Sequence, residues 1–124
     1  MKKEKSNYLL STESRLSKVL SEIFTDSSFE FMGKRIFVNV LYVNLSADLS
    51  IAKVAINTFG LDNIKDIKKL IIELNKNFVK QTRNLIAQKM RIKIIPNILF
   101  IYDDSQDKAD KINKLIEEEA KKYN

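Results

Sequence analysis

Three stretches of the chain repeat apolar residues every three or four positions, and three others run apolar or alternate with polar residues, which predicts helices and strands in one fold. Leu16, Val19, Leu20, Ile23 and Phe24 define one face of a first helix of about 13 residues, with Lys18 and Glu22 outside it. Ser11 or Thr12 is the expected N-cap, Glu13 sits in the first turn, and residues 1–10 read as a flexible polar start. Thr25-Asp26-Ser27-Ser28 punctuates the end of this helix. Past Gly33, the run Arg35 to Val43 places Ile36, Val38, Val40 and Tyr42 on one parity and Phe37, Asn39, Leu41 and Val43 on the other, a strand with both faces at least partly covered. A second strand from Ile51 to Phe59 sets Ala52, Val54, Ile56 and Thr58 against Ile51, Lys53, Ala55, Asn57 and Phe59, with Lys53 and Asn57 on the wetter side. Ser46, Asp48 and Ser50 can bond nearby backbone groups, so a hairpin is the simplest connection.

Gly60 ends the second strand, and Asp62 can cap a helix in which Ile64, Ile67, Ile71, Leu74 and Phe78 share a face. Leu85 and Ile86 fall out of that phase, so the helix is expected to bend or restart near Val79-Lys80. Pro96 biases Ile95 toward extended geometry and leads into a third strand at about Ile98–Tyr102. Asp103-Asp104-Ser105 then caps a last helix with a narrow stripe of Ala109, Ile112, Leu115, Ile116 and Ala120, fraying over 117–124. The whole chain, 1–124, is expected to form one α+β domain, a three-stranded sheet packed against helices. Its order, αββααβ with an added C-terminal helix, resembles a type II KH-like core.

Charge changes this picture more than composition does. The formal net charge is +6, and residues 65–93 carry nine Lys/Arg against two Asp/Glu, whereas the flanking segments nearly balance or are acidic. Such a block neutralises phosphates and releases counterions, favouring nucleic acid as the partner. Lys65, Lys68 and Lys69 mark the outer side of an ordinary amphipathic helix. Lys76, Lys80, Arg83, Lys89, Arg91 and Lys93 span the irregular stretch and are the candidate RNA-binding residues, with Lys53 joining from the second strand. The abundance of Lys, Ile and Asn beside two glycines and one proline is also what an AT-rich genome produces.

Several chemistries have no apparatus here. Cysteine and histidine are absent, which removes disulfides, thiol nucleophiles, the commonest general base and the usual zinc ligands, so no enzyme and no cofactor are expected. No apolar run approaches the ~20 residues of a membrane span, and the protein is expected in the cytoplasm without a membrane partner. The acids Asp103, Asp104, Asp107 and Asp110 could in principle hold magnesium, but carboxylates gather at helix N-termini for electrostatic reasons, and no metal site is assigned. A KH module clamps single strands with a GXXG loop, and Gly33 and Gly60 both lie outside the helical pair. Phe37, Tyr42, Phe59, Phe100 and Tyr102 are all assigned to the core rather than to a base-stacking surface.

Three stretches carry a resemblance. They are Leu45-Ser46-Ala47-Asp48-Leu49-Ser50-Ile51-Ala52-Lys53-Val54, Met90-Arg91-Ile92-Lys93-Ile94-Ile95-Pro96 and Leu99-Phe100-Ile101-Tyr102-Asp103-Asp104-Ser105. Together they resemble the bacterial ribosome-binding factor A family from the first helix to about Leu115. The resemblance implies a KH-like fold, association of a free monomer with the small (30S) ribosomal subunit, and non-catalytic help in late maturation and 5′-end processing of 16S rRNA. Where that family bends its central helices at an Ala-x-Gly, this chain has Phe78-Val79-Lys80. The alternative is a KH-like RNA or DNA binder unrelated to ribosomes.

Overall fold

The structure, a computed structural model, describes residues 5–26, 30–61 and 63–103. Helix α1 (Asn7–Asp26) starts earlier than the Ser11–Thr12 cap expected from sequence. Ser6 takes that role, its Oγ accepting from the Leu9 amide at 3.1 Å. Leu9 extends the apolar stripe by two turns, and Thr12 lies buried inside the helix with its hydroxyl donating to the Tyr8 carbonyl at 2.8 Å. A small hairpin follows, β1 (Glu30–Phe31) and β2 (Lys34–Arg35), joined by Met32 and Gly33. Both turn residues have positive φ, the backbone that matches the twist of a two-residue hairpin.

The main sheet contains β3 (Phe37–Leu45), β4 (Ile51–Phe59) and β5 (Asn97–Tyr102) in that spatial order, β3 antiparallel and β5 parallel to the central β4. Glu13 ties α1 to the sheet, its Oε2 accepting from the Leu45 amide at 2.6 Å and from Lys5 Nζ. Between β3 and β4, Asp48 Oδ1 collects the Ser46 and Ser50 hydroxyls at 2.8 and 2.6 Å and the Ser50 amide at 3.1 Å. Those donors hold the Asp48 carboxyl down to about 2 and brace a loop in which Leu49 adopts φ 65°. At the other end of β4, Gly60 has φ 106°, and a Cβ there would stand 3.1 Å from the Arg35 carbonyl oxygen.

The register shifts between Val40 and Tyr42, where Leu41 is the extra residue of a β-bulge. Parity therefore reverses within β3. Val38 and Val40 face the helices before the bulge, and Val43 and Leu45 face them after it, so Tyr42 swings to the opposite side. That opposite side is open: Phe37, Tyr42 and Phe59, expected in the core, are 61%, 45% and 64% exposed. Phe37 and Phe59 lie on the parity expected of them, but among the described residues no helix covers that face.

Helix α2 (Ile64–Glu73) is capped by Asn63, whose Oδ1 accepts from the Lys65 amide at 2.8 Å; Asp62, the expected cap, lies outside the described residues. The predicted break is present, as a π-helical turn (Leu74–Phe78) rather than a stop, after which α3 (Val79–Lys89) continues. One extra residue in the turn rotates the following helix, which is why Leu85 and Ile86 fell out of phase in the sequence. The turn drives Phe78 toward Phe24 and Phe100, with ring centroids 5.4 and 6.5 Å away. Thr82, fully buried, donates its hydroxyl to the Phe78 carbonyl at 2.8 Å. The expected C-terminal helix lies outside the described residues.

Candidate nucleic-acid interface

The π turn also brings Asn75 against β5. Its Oδ1 accepts from the Phe100 amide at 2.8 Å and its Nδ2 donates to the Phe100 carbonyl at 3.0 Å. Phe100 points both backbone groups away from β4, so this one side chain closes the outer edge of the sheet at that point. Nothing in local propensity marks Asn75 for this task. An asparagine in mid-helix reads as a weak helix former, and its partner lies 25 residues away.

Beside this contact runs an open groove of about 480 Å³. Lys76 of the turn, and Lys80 and Arg83 of α3, line one side with Asn75 and Asn84, while Ile95 closes the other. Among the described residues no carboxylate lines it. Three cations within two helical turns repel one another, and an anion in the groove relieves that repulsion. Arg83 is half-buried: Nη2 donates to the Ile95 carbonyl at 3.1 Å, and its buried Nε has no hydrogen-bond partner. That bond ties the guanidinium to the Ile95 side of the groove, where its charge faces the anion site.

The remaining sequence-predicted cations are dispersed. Lys89 ends α3 and Arg91 follows it, both exposed. Lys93 lines a separate, mostly apolar cavity of about 120 Å³ with Tyr8, Leu45, Leu49 and Pro96. Lys53 stands on the open face of the sheet, paired in register with Asn44 and Leu99, on the side away from the groove. Lys65 and Lys69 are exposed on α2 outside the groove. So the fold gathers Lys76, Lys80 and Arg83, and it leaves Lys53 apart.

Phe100 and Tyr102 are buried as expected. Of the acidic cluster, Asp103 alone is described, and its Oδ2 accepts from the Tyr42 hydroxyl at 3.0 Å. Partial burial, and then this carboxylate, push the Tyr42 hydroxyl above its ordinary value. Among the described residues no group of three potential metal ligands converges, and no helix is long and apolar enough to cross a membrane.

A family model described as ribosome-binding factor A matches residues 9–116. The ribosome-binding factor A of Buchnera aphidicola subsp. Acyrthosiphon pisum (strain Tuc7) is 36% identical over 85 residues, covering 68% of this chain and 71% of the relative. That of Thermodesulfovibrio yellowstonii is 39% identical over 82 residues, covering 66% of each chain. The crystal structure of ribosome-binding factor A from Thermus thermophilus superposes with a TM-score of 0.58 at 19% identity, over 76% of this chain and 94% of the other. A solution structure from Thermotoga maritima gives 0.62 at 23%, over 86% and 96%. A third coordinate set, of the Thermus thermophilus factor fitted into a map of its complex with the 30S subunit, gives 0.56 at 21%, over 72% and 88%. The three-stranded sheet with its bent helical pair is thus the fold of these proteins, and the chain belongs to the ribosome-binding factor A family.

Proposed function

We propose that the protein is a non-catalytic assembly factor that binds the small ribosomal subunit in the cytoplasm as a free monomer. On this reading it assists late maturation of 16S rRNA, including processing of the 5′ end. The observation that carries it is the groove, in which a π turn sets Lys76, Lys80 and Arg83 together without a carboxylate among the described lining residues. Lys89, Arg91 and Lys93 continue the positive field beyond α3, and Lys53 serves a separate contact. Binding of phosphates there favours one conformation of the precursor subunit over others, so the protein acts by shifting a population rather than by breaking bonds. Family membership, and the complex that the Thermus factor forms with the 30S subunit, support the choice of ribosomal subunit over other nucleic acids.

The test follows the tagged protein through a sucrose gradient of cell lysate at low and moderate salt. Migration with free small subunits, lost when Lys76, Lys80 and Arg83 are reversed to Glu, is the expected result. Protein that stays at the top of the gradient at every salt concentration refutes the ribosomal reading.

A further inference from the structure

We propose that Asn75 is a positioning residue of the basic groove: by tying the π turn to β5 it sets the arrangement in which Lys76, Lys80 and Arg83 meet an anion, without binding the anion itself. The inference rests on the reading of the groove as the phosphate contact and adds to it the side chain that shapes the site. Two side chains bridge the groove, one at each end. Asn75 exchanges two hydrogen bonds with the Phe100 backbone, at 2.8 and 3.0 Å, and Arg83 Nη2 donates to the Ile95 carbonyl at 3.1 Å. Along the helical pair these bridges stand about 12 Å apart, and Lys76 and Lys80 line the groove between them.

The rest of the helical pair is held from the other side. Leu74, Thr82 and Ile86 are fully buried, which fixes how the two helices lie on the core but not how far the turn stands from β5 on the groove side. The π turn is the least regular backbone in the groove wall, and its two asparagines do different work. Asn77 Nδ2 donates to Glu73 within the helical pair, at 2.7 Å, whereas Asn75 reaches out to the strand. Asn75 commits its carbonyl oxygen and one of its two amide hydrogens to Phe100, so it is suited to hold rather than to recognise. Lys76 follows it directly in the chain and is exposed, so any displacement of the turn carries Lys76 along. The three cations repel one another, and a turn without its tie yields to that repulsion by moving off the strand. Holding them together before an anion arrives removes the ordering cost from binding.

The test is a mutant cycle on the full chain, titrated with inorganic tripolyphosphate and read by NMR. Asn75→Leu is expected to weaken binding about tenfold. In a background of Lys76→Gln, Lys80→Gln and Arg83→Gln the same substitution has no further effect, because Asn75 acts through those cations. Gly60→Ala, a destabilising change outside the groove lining, binds like the parent. The parent supplies a second reading that needs no substitution at Asn75. By linkage, an anion that favours the tied turn must strengthen the tie, so saturating tripolyphosphate slows exchange of the Phe100 amide more than that of Leu99 and Ile101. An Asn75→Leu protein that binds like the parent, a deficit that persists in the triple glutamine background or is matched by Gly60→Ala, or a Phe100 amide unmoved by the anion each overturn the proposal. Failure of the groove reading shows differently: the triple glutamine variant alone, with Asn75 intact, then binds tripolyphosphate as tightly as the parent, and the proposal falls with it.

Discussion

Replacing Asn75 by Leu keeps most of the side-chain volume and removes both hydrogen bonds to the Phe100 backbone, isolating the contact that docks the π turn on β5. Each bond is worth about 1 kcal/mol net, and a partly buried donor or acceptor left without a partner costs about 1–3 kcal/mol. Phe100 retains its amide and carbonyl in the variant with only restricted access to water, so the loss is about 2–4 kcal/mol. For a chain of 124 residues that corresponds to a fall of about 8–15 °C in Tm. Urea unfolding gives the free energy, and native-state hydrogen exchange reads the Phe100 amide directly. That amide is expected to lose protection by more than its neighbours in β5 that bond to β4. A variant that loses less than about 0.5 kcal/mol with the Phe100 amide still protected would refute the claim that Asn75 closes the sheet edge.

Three further outcomes follow from the same geometry. Gly60→Ala forces a side chain into a φ of 106° with its Cβ 3.1 Å from the Arg35 carbonyl oxygen, and is expected to destabilise the protein by about 1–3 kcal/mol in denaturant titrations. Thr82→Val leaves the Phe78 carbonyl without its side-chain partner and buries an extra methyl in its place, a loss of about 1–2 kcal/mol by the same measurement. Asp48 has its folded-state value lowered from the ordinary 3.8 to about 2, so its contribution is complete above pH 4 and disappears as pH falls toward 2. Asp48→Asn should accordingly flatten the acid limb of the stability profile between pH 4 and pH 2, and an unchanged limb contradicts the assigned hydrogen bonds.

The elements that bury one face were legible in the sequence because burial imposes a period. The stripe Leu16, Leu20 and Ile23, the alternation Ala52, Val54 and Ile56, and the run Ile98 to Tyr102 each appear where the pattern places them. The dephasing of Leu85 was legible as well, although its cause, a single π turn, was not. What escaped was the set of features that carry no periodicity of their own. A one-residue bulge at Leu41 turns Tyr42 outward, and an alternating run looks the same with or without it. The exposure of Phe37 and Phe59 depends on whether another element covers that face, which local pattern does not encode. Ser6 and Asn63 replace neighbouring caps of nearly equal propensity, a choice made by how far the packed stripe extends. For the candidate site, charge density marked the segment that lines the groove, yet only the fold separates Lys76, Lys80 and Arg83 from Lys53 and Lys93.

The groove is tested most directly by titrating purified small subunits with the protein over a series of salt concentrations, beside a Lys76→Gln, Lys80→Gln, Arg83→Gln variant. If the three cations meet phosphates, affinity falls steeply as salt rises, and the variant loses about one unit of the logarithmic salt slope for each contact removed. A variant that binds with the affinity and the salt slope of the parent contradicts the assignment of this groove as the RNA contact.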